Sequence, residues 1–269
     1  MKNLISAKWL IFIAIAVVII MIDVDMTAVN LAVHSMAQGL DISAAAAQWL
    51  MDGYIITAAS LMAFGGCCGD MFGAKRVLNI SLAVFVVASI SIAFAPVAAV
   101  ALLGRVIQGA AVAFMFPVAT IVVRDTFPRH QQGMAIGALI SIAGIAQGLG
   151  PFIAGVIIYV SDWRYLFLVN VPLSIIALTL INRFLPTTEI NKEVRLNGKS
   201  VGLWFVALFA LITCINEIHV LHHSAIYLAI LLLLSLVALI MYVHNDLKAT
   251  NPLLDLSLLR SSILSKVVF

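Results

Sequence analysis

The sequence predicts an all-α polytopic membrane protein, on three observations. Of its 269 residues, 64% are hydrophobic and only 10% are charged, against about 25% charged in an ordinary soluble domain; the mean hydropathy is +1.16. The apolar residues fall in eight runs, each long enough to cross about 30 Å of hydrocarbon as a helix. These runs are far too long for the strands of an outer-membrane barrel. Finally, Lys and Arg alternate between the two sides of the membrane in a pattern that this span count preserves and a missed span would scramble.

The expected spans are about Trp9–Val33, Trp49–Cys68, Val77–Ala95, Val100–Val123, Met134–Val160, Tyr165–Leu185, Val201–Ile218 and Ala225–Val243. Lys2 and Lys8 lead straight into the first without a small-residue cleavage site, so this start reads as a retained helix and not as a signal peptide. Thirteen of the 15 Lys and Arg residues fall on one side: Lys2 and Lys8, Lys75 and Arg76, Arg124 and Arg129, Arg183 through Lys199, and the tail after the eighth span. Only Arg164 lies on the other side. The N-terminus is therefore expected in the cytoplasm. After the eighth span, residues 251–260 read as a short interfacial helix, and residues 261–269 as the start of a ninth span that is too short to cross. The net charge of +3 is scattered over the loops and points to no nucleic-acid partner. Cys67, Cys68 and Cys214 lie in or at the ends of spans, as small packing residues.

The remaining cation, Arg105, sits inside the fourth span. A charge near mid-span costs about 2.5–3.5 kcal/mol on insertion scales, so it needs a partner or a wet cavity unless it snorkels to the headgroups. The first span offers two carboxylates, Asp23 and Asp25. At 100° per residue they lie about 160° apart around the helix and cannot share one environment. Asp23 begins a polar stripe with Thr27, Asn30 and His34; Asp25 lies on the far side. Asp25 is eight residues from the outer end of its span and Arg105 five from the outer start of the fourth, so the two sit at similar depth. Two readings stay open. One is a static pair that fixes helix packing. The other is a carboxylate that takes up and releases a proton under the opposing influences of burial and a neighbouring cation.

Three further stretches stand out. Gly65 to Leu78 is rich in glycine, as a tight hairpin requires. Here Asp70 is placed to cap the third helix, Lys75 and Arg76 hold the loop inside, and Arg124 with Asp125 is in reach for exchanged salt bridges. In the fifth span Gly137, Ser141, Gly144, Gly148, Pro151 and Gly155 recur at alternating +4 and +3 spacing, leaving one helix face almost without bulk. Gly150 and Pro151 add a kink point. That face serves either ordinary tight packing or a surface against which a second bundle seals. In the sixth span Trp163 and Tyr165 fit an interfacial aromatic belt, and Asn170 needs a buried partner. Two weaker clusters are Glu217 with His219, His222 and His223, better read as a wet loop than as a zinc site, and Asp52 beside Trp49 and Tyr54, either in an outer vestibule or at a solvated helix end.

Six of these stretches resemble motifs of one family in the right order. They are Asp25-x-Thr-x-x-Asn-x-Ala32, Gly66-x-x-Gly-Asp-x-x-Gly-x-Lys75, Arg105-x-x-Gln-Gly109, Gly150-Pro-x-x-Ala-Gly155, Trp163-Arg-Tyr-x-Phe-x-x-Asn-x-Pro172 and Pro252-Leu-Leu-Asp-Leu-x-Leu-Leu-Arg260. The chain resembles the N-terminal part of the 14-helix, EmrB/QacA-type drug:proton antiporters of the major facilitator superfamily. It departs from the family pattern at His34, Met71, Ala74 and Ala154, and Asp23 is an acid that the pattern does not require.

The resemblance implies a major facilitator-type six-helix N-terminal bundle over residues 1–186, a cytoplasmic linker over 187–200, and two inserted transmembrane helices over 201–244. Residues 245–269 would be a cytoplasmic amphipathic segment and the start of a ninth helix, with the second bundle absent. It implies a multi-pass protein of the cell inner membrane, not an enzyme, needing no cofactor and no metal but a proton gradient. Its partners would be a small-molecule substrate, the lipid bilayer, and a C-terminal bundle or a second copy. The expected function is export of drug-like compounds by proton-coupled antiport and alternating access. The alternatives are a truncated, non-transporting half and an exporter of another small metabolite. Coupling would rest on Asp25, Arg105, Asp23 and Asn30. The cytoplasmic loop motif would act through Gly66, Asp70, Gly73, Lys75 and Arg76. The antiporter motif would act through Gly144, Gly148, Gly150, Pro151 and Gly155. A scaffold or sensor gains nothing from three buried charges.

Overall fold

A computed structural model describes residues 2–187, 197–217 and 225–246. The tail segment at 251–269, the histidines His219, His222 and His223, and the cations Lys192, Arg195, Lys248, Arg260 and Lys266 lie outside the described residues. Within them the chain is all helix: α1 (Lys2–Gly39), α2 (Ala44–Phe72), α3 (Ala74–Ala93), α4 (Ala98–Thr126), α5 (Arg129–Val160), α6 (Arg164–Leu168), α7 (Asn170–Phe184), α8 (Gly198–Glu217) and α9 (Ala225–Asp246). Counting α6 and α7 as one span, the described residues hold eight helices long and apolar enough to cross a membrane.

The helices overrun the expected spans at several ends, most of all α1 and α2, because hydropathy marks only what lipid covers. Their turns follow from local chemistry. Ser43 caps α2, its side chain accepting from the Ala46 N–H at 3.2 Å. Between α2 and α3 a single residue, Gly73, reverses the chain at φ 85°, a conformation open to glycine. Asp70 does not cap α3: it lies inside α2, is exposed, and the N-cap position is Gly73 with no side-chain bond. The break between α6 and α7 falls at Val169. Pro172 explains it, since it has no N–H to offer the carbonyl four residues back. Pro117 and Pro151 are carried inside α4 and α5.

The chain divides into two compact units, residues 1–191 and 192–269. In the first, the main pairings are α2 with α4, α1 with α5, α3 with α4 and α1 with α7. Exchanging α1 with α4, α2 with α5 and α3 with the α6–α7 span turns this set into itself, the pattern expected of two repeats of three helices. Tight crossings depend on missing side chains. A methyl at Gly109 on α4 would run into the Tyr54 carbonyl of α2. One core cluster gathers Ala28, Leu50, Ile92, Ala101, Ala154 and Phe167 from six helices. Trp163 belongs to it, 2% exposed with its ring edge-on to Phe167. It is thus a core residue and not the lipid-belt aromatic expected; Tyr165 is exposed.

The second unit is an antiparallel pair. Asn245 donates to the Ser200 hydroxyl at 2.9 Å, Ser235 to the Ala207 carbonyl at 2.9 Å, and Trp204 packs on Tyr242. Most of α9 beyond that seam is exposed Leu, Ile and Val, a surface suited to lipid and not to water.

Candidate functional site: a buried hydrogen-bonded ring around Asp25 and Arg105

Arg105 does not snorkel. It is 1% exposed, and its NH1 donates to Asp25 Oδ2 at 2.7 Å. The charged pair is held by a closed ring of hydrogen bonds. Arg105 NH1 also donates to Gln108 Oε1 at 2.9 Å, one turn along α4. Gln108 Nε2 donates to Ser89 Oγ of α3 at 2.8 Å. Asn170 Nδ2, at the first position of α7, donates to Ser89 Oγ at 3.3 Å and to Asp25 Oδ1 at 2.7 Å. Ser89 itself donates to the Phe85 carbonyl at 2.8 Å. Outside the ring, Arg105 Nε donates to the Leu50 carbonyl of α2 at 2.9 Å. The guanidinium carbon lies 4.2 Å from the centre of the Tyr54 ring and 5.9 Å from that of Phe167. Such stacking adds a favourable term for a desolvated cation.

Every helix of the first unit except α5 contributes to this arrangement. All its members are buried, as they must be if charges and amides are to be satisfied away from water. Charge-assisted bonds of this length are the strong ones. Chemically, the site holds one compensated carboxylate whose two oxygens are each already taken by a donor.

Of the residues expected to act together, Asp25 and Arg105 meet. Asp23 and Asn30 do not join them. Asp23 faces α5, where Gln147 Nε2 donates to its Oδ1 at 2.9 Å. Asn30 and His34 are exposed further along α1, with His34 Nε2 3.1 Å from Gln38 Nε2. Thr27 Oγ1 donates to the Asp23 carbonyl at 2.8 Å and fills the space that a methyl on Gly150 would need. So Gly150 serves the α1–α5 crossing. Gly144 and Gly148 do not pack within the unit: a methyl on either would meet nothing within 4 Å. Pro151 is exposed and Gly155 lies beside Leu31.

The loop motif gathers at the end of the bundle that carries Lys8. Lys75 Nζ donates to the Asn182 and Leu185 carbonyls at 2.9 and 2.8 Å, closing the C-terminal end of α7, where cations are favoured. Gly66 is half-buried, with Ile121 of α4 in ordinary contact distance, and Arg76 is exposed. Arg124 does not bridge to the loop. Its Nε donates to its neighbour Asp125 at 2.8 Å, and both side chains are more than half exposed. Asp70, Asp125 and Lys8 instead line a cavity of about 690 Å³ with Gly69, Ala74 and Thr126. Among the described residues no group of three or more His, Cys, Asp or Glu is arranged to hold a metal ion. The three cysteines are free.

Sequence reasoning missed Gln108, Ser89, Gln147 and Tyr54. Gln108 had a usable signal, since it stands one turn after Arg105 and so on the same face. Ser89 and Gln147 are polar residues inside apolar runs, which a membrane makes costly. Tyr54 gave none.

Comparison with known proteins agrees with this architecture. The major facilitator superfamily model matches residues 13–264. The chain is 29% identical over 248 residues to the methylenomycin A resistance protein of Streptomyces coelicolor, covering 92% of this chain and 52% of that protein. It is 32% identical over 253 residues to the uncharacterized transporter YebQ of Escherichia coli, covering 93% and 55%. Among solved structures it is similar to the proton:xylose symporter XylE, with a TM-score of 0.60 at 15% identity over 87% of this chain and 53% of that one. At that identity the likeness concerns the fold alone. The chain thus spans about half the length of the curated relatives it matches. With its eight membrane-length helices and repeated three-helix pattern, the chain belongs to the major facilitator superfamily.

Proposed function

We propose that this chain forms the N-terminal half of a proton-coupled exporter of drug-like or other small organic compounds, of the 14-helix EmrB/QacA type. The observation that carries the reading is the buried Asp25–Arg105 pair, in which neither charge meets water and both oxygens of the acid are engaged. A protein gains little stability from such a pair compared with apolar residues of the same size, and a charge within a membrane span is by default functional. Asp25 is the proton carrier, and Arg105 is its counter-charge. Asn30, exposed on α1, faces the transport path. The relative named for methylenomycin A resistance supports export as the direction. The α8–α9 pair that follows six spans supports the 14-helix branch.

Alternating access needs a second bundle, supplied by further chain, by another polypeptide or by a second copy. The open face of Gly144, Gly148 and Pro151 is the surface for it, and the Gly66–Arg76 turn is the pivot at the cytoplasmic end. The test is efflux in energised inside-out vesicles, comparing wild type with Asp25→Asn and Arg105→Ala. Both variants are expected to lose transport by more than about tenfold, which corresponds to about 1.4 kcal/mol of coupling. Undiminished proton-driven efflux in both would sink the proposal.

A further inference from the structure

We infer that Tyr54 is a positioning residue for Arg105: its ring is the place where the guanidinium rests while Asp25 is uncharged. This rests on the proton-carrier reading above and adds to it a residue of α2.

The contacts of Arg105 fall into two groups. The bond to Asp25 crosses to α1 and draws its strength from the charge of the carboxylate. The other contacts do not depend on that charge. Nε donates to the Leu50 carbonyl, and the guanidinium carbon lies 4.2 Å from the centre of the Tyr54 ring, both on α2; NH1 donates to Gln108 on α4 itself. Leu50 and Tyr54 stand one turn apart, so α2 offers the cation a carbonyl and an aromatic face side by side. This stretch of α2 is pressed against α4. A methyl on Gly109 would run into the Tyr54 carbonyl, and one on Gly53 would crowd Leu102 and Val106 at 3.1 and 3.3 Å. Tyr54 is 2% exposed, and a desolvated ring attracts a cation more strongly than one in water.

The direction of the effect follows. While Asp25 is ionised, the guanidinium shares its charge with the carboxylate. Once Asp25 is neutral, the cation keeps only the groups of α2 and α4, and the ring counts for more. The ring therefore favours proton uptake by Asp25. The Tyr54 hydroxyl is buried without a hydrogen-bond partner, so the ring is the working part and the hydroxyl is dispensable. No other charge among the described residues competes at this spot. Asp23 of α1 is turned to α5, where it accepts from Gln147. Asp52 of α2 is partly exposed and accepts from Gln48 at 3.3 Å. The helices α3, α5 and the α6–α7 span carry charged or titratable residues only near their ends.

The test is an infrared titration of the full purified chain in detergent, following the carboxylic-acid C=O band that Asp25→Asn removes. Tyr54→Leu is expected to move the midpoint of that band to lower pH by about one unit, roughly a tenfold loss of proton affinity. Tyr54→Phe keeps the ring and is expected to rescue the midpoint to within about 0.3 units of wild type. Should Tyr54→Leu fail to fold, Tyr54→Met, also without a ring, is read in its place with the same shift expected. A midpoint that stays put or rises in the variants without a ring overturns the inference. So does a midpoint that moves as far in Tyr54→Phe as in Tyr54→Leu, which would give the role to the hydroxyl. A chain that behaves as expected here, while its assembled transporter moves no protons, refutes the transport reading alone. The absence of any band that Asp25→Asn removes refutes Asp25 as the proton carrier, and this inference with it.

Discussion

Asp25 and Arg105 compensate each other so closely that each is a liability without the other. Asp25→Leu leaves the guanidinium buried with no counter-charge and is expected to destabilise by about 3–5 kcal/mol. The double variant Asp25→Leu/Arg105→Leu should recover much of that loss, because it removes both desolvated charges together. Thermal unfolding in detergent, read for both single variants and the double, measures the difference; strictly additive losses would show that the pair is not the unit. Ser89 makes a separate prediction. Its one oxygen accepts from Gln108 and Asn170, so Ser89→Ala strands two buried amide donors at a cost of about 1–3 kcal/mol. The sequence showed Asp25 and Arg105 because charge inside an apolar run is conspicuous. It hid Tyr54, because a tyrosine is unremarkable in any membrane helix and only the packing of α2 on α4 puts its ring against the cation.

Helices divide here into those whose small residues are used and those whose small residues wait. Gly109 on α4 touches the backbone of α2, so Gly109→Leu forces the crossing apart and should cost about 1–3 kcal/mol or more. Gly144 on α5 touches nothing, so Gly144→Leu should leave the unfolding midpoint of this chain unchanged while abolishing efflux in the assembled transporter. Loss of stability at Gly144 would place that face inside the unit after all. The same contrast shows what the sequence could reveal about elements. Hydrophobic runs disclosed every described span, since length and apolarity are local. The small-residue periodicity of α5 disclosed a face but not its occupant. The placing of Asp70 as a cap failed because α2 runs on through Phe72 and leaves only Gly73 for the turn. The break at Val169 was written in the sequence as Pro172, yet Pro117 and Pro151 lie within unbroken helices, so proline alone did not locate it.

Across the first unit, the interchangeable pairing of the two three-helix sets puts the buried Asp25–Arg105 pair between equivalent positions, α1 and α4. The basic residues gather at one end of this unit, with Lys8 donating to Gln131 at 2.8 Å and Lys75 sealing α7. On the positive-inside rule that end is expected in the cytoplasm. In a cysteine-free background, Arg164→Cys is expected to react with an impermeant maleimide on intact cells, and Arg129→Cys only in inside-out vesicles; the reverse pattern would invert the topology. The ring that ties α1, α3, α4 and α7 together has one more property. Each of its bonds has a fixed polarity, and both neighbours of Asp25 are donors. A neutral Asp25 still has lone pairs with which to accept, but it loses the charge that makes its bond to Arg105 strong. We propose that protonation weakens the tie of α1 to α4, which is an ion pair, more than its tie to α7, which is not. On that reading the arrival of a single hydrogen loosens one helix from another at the pair itself.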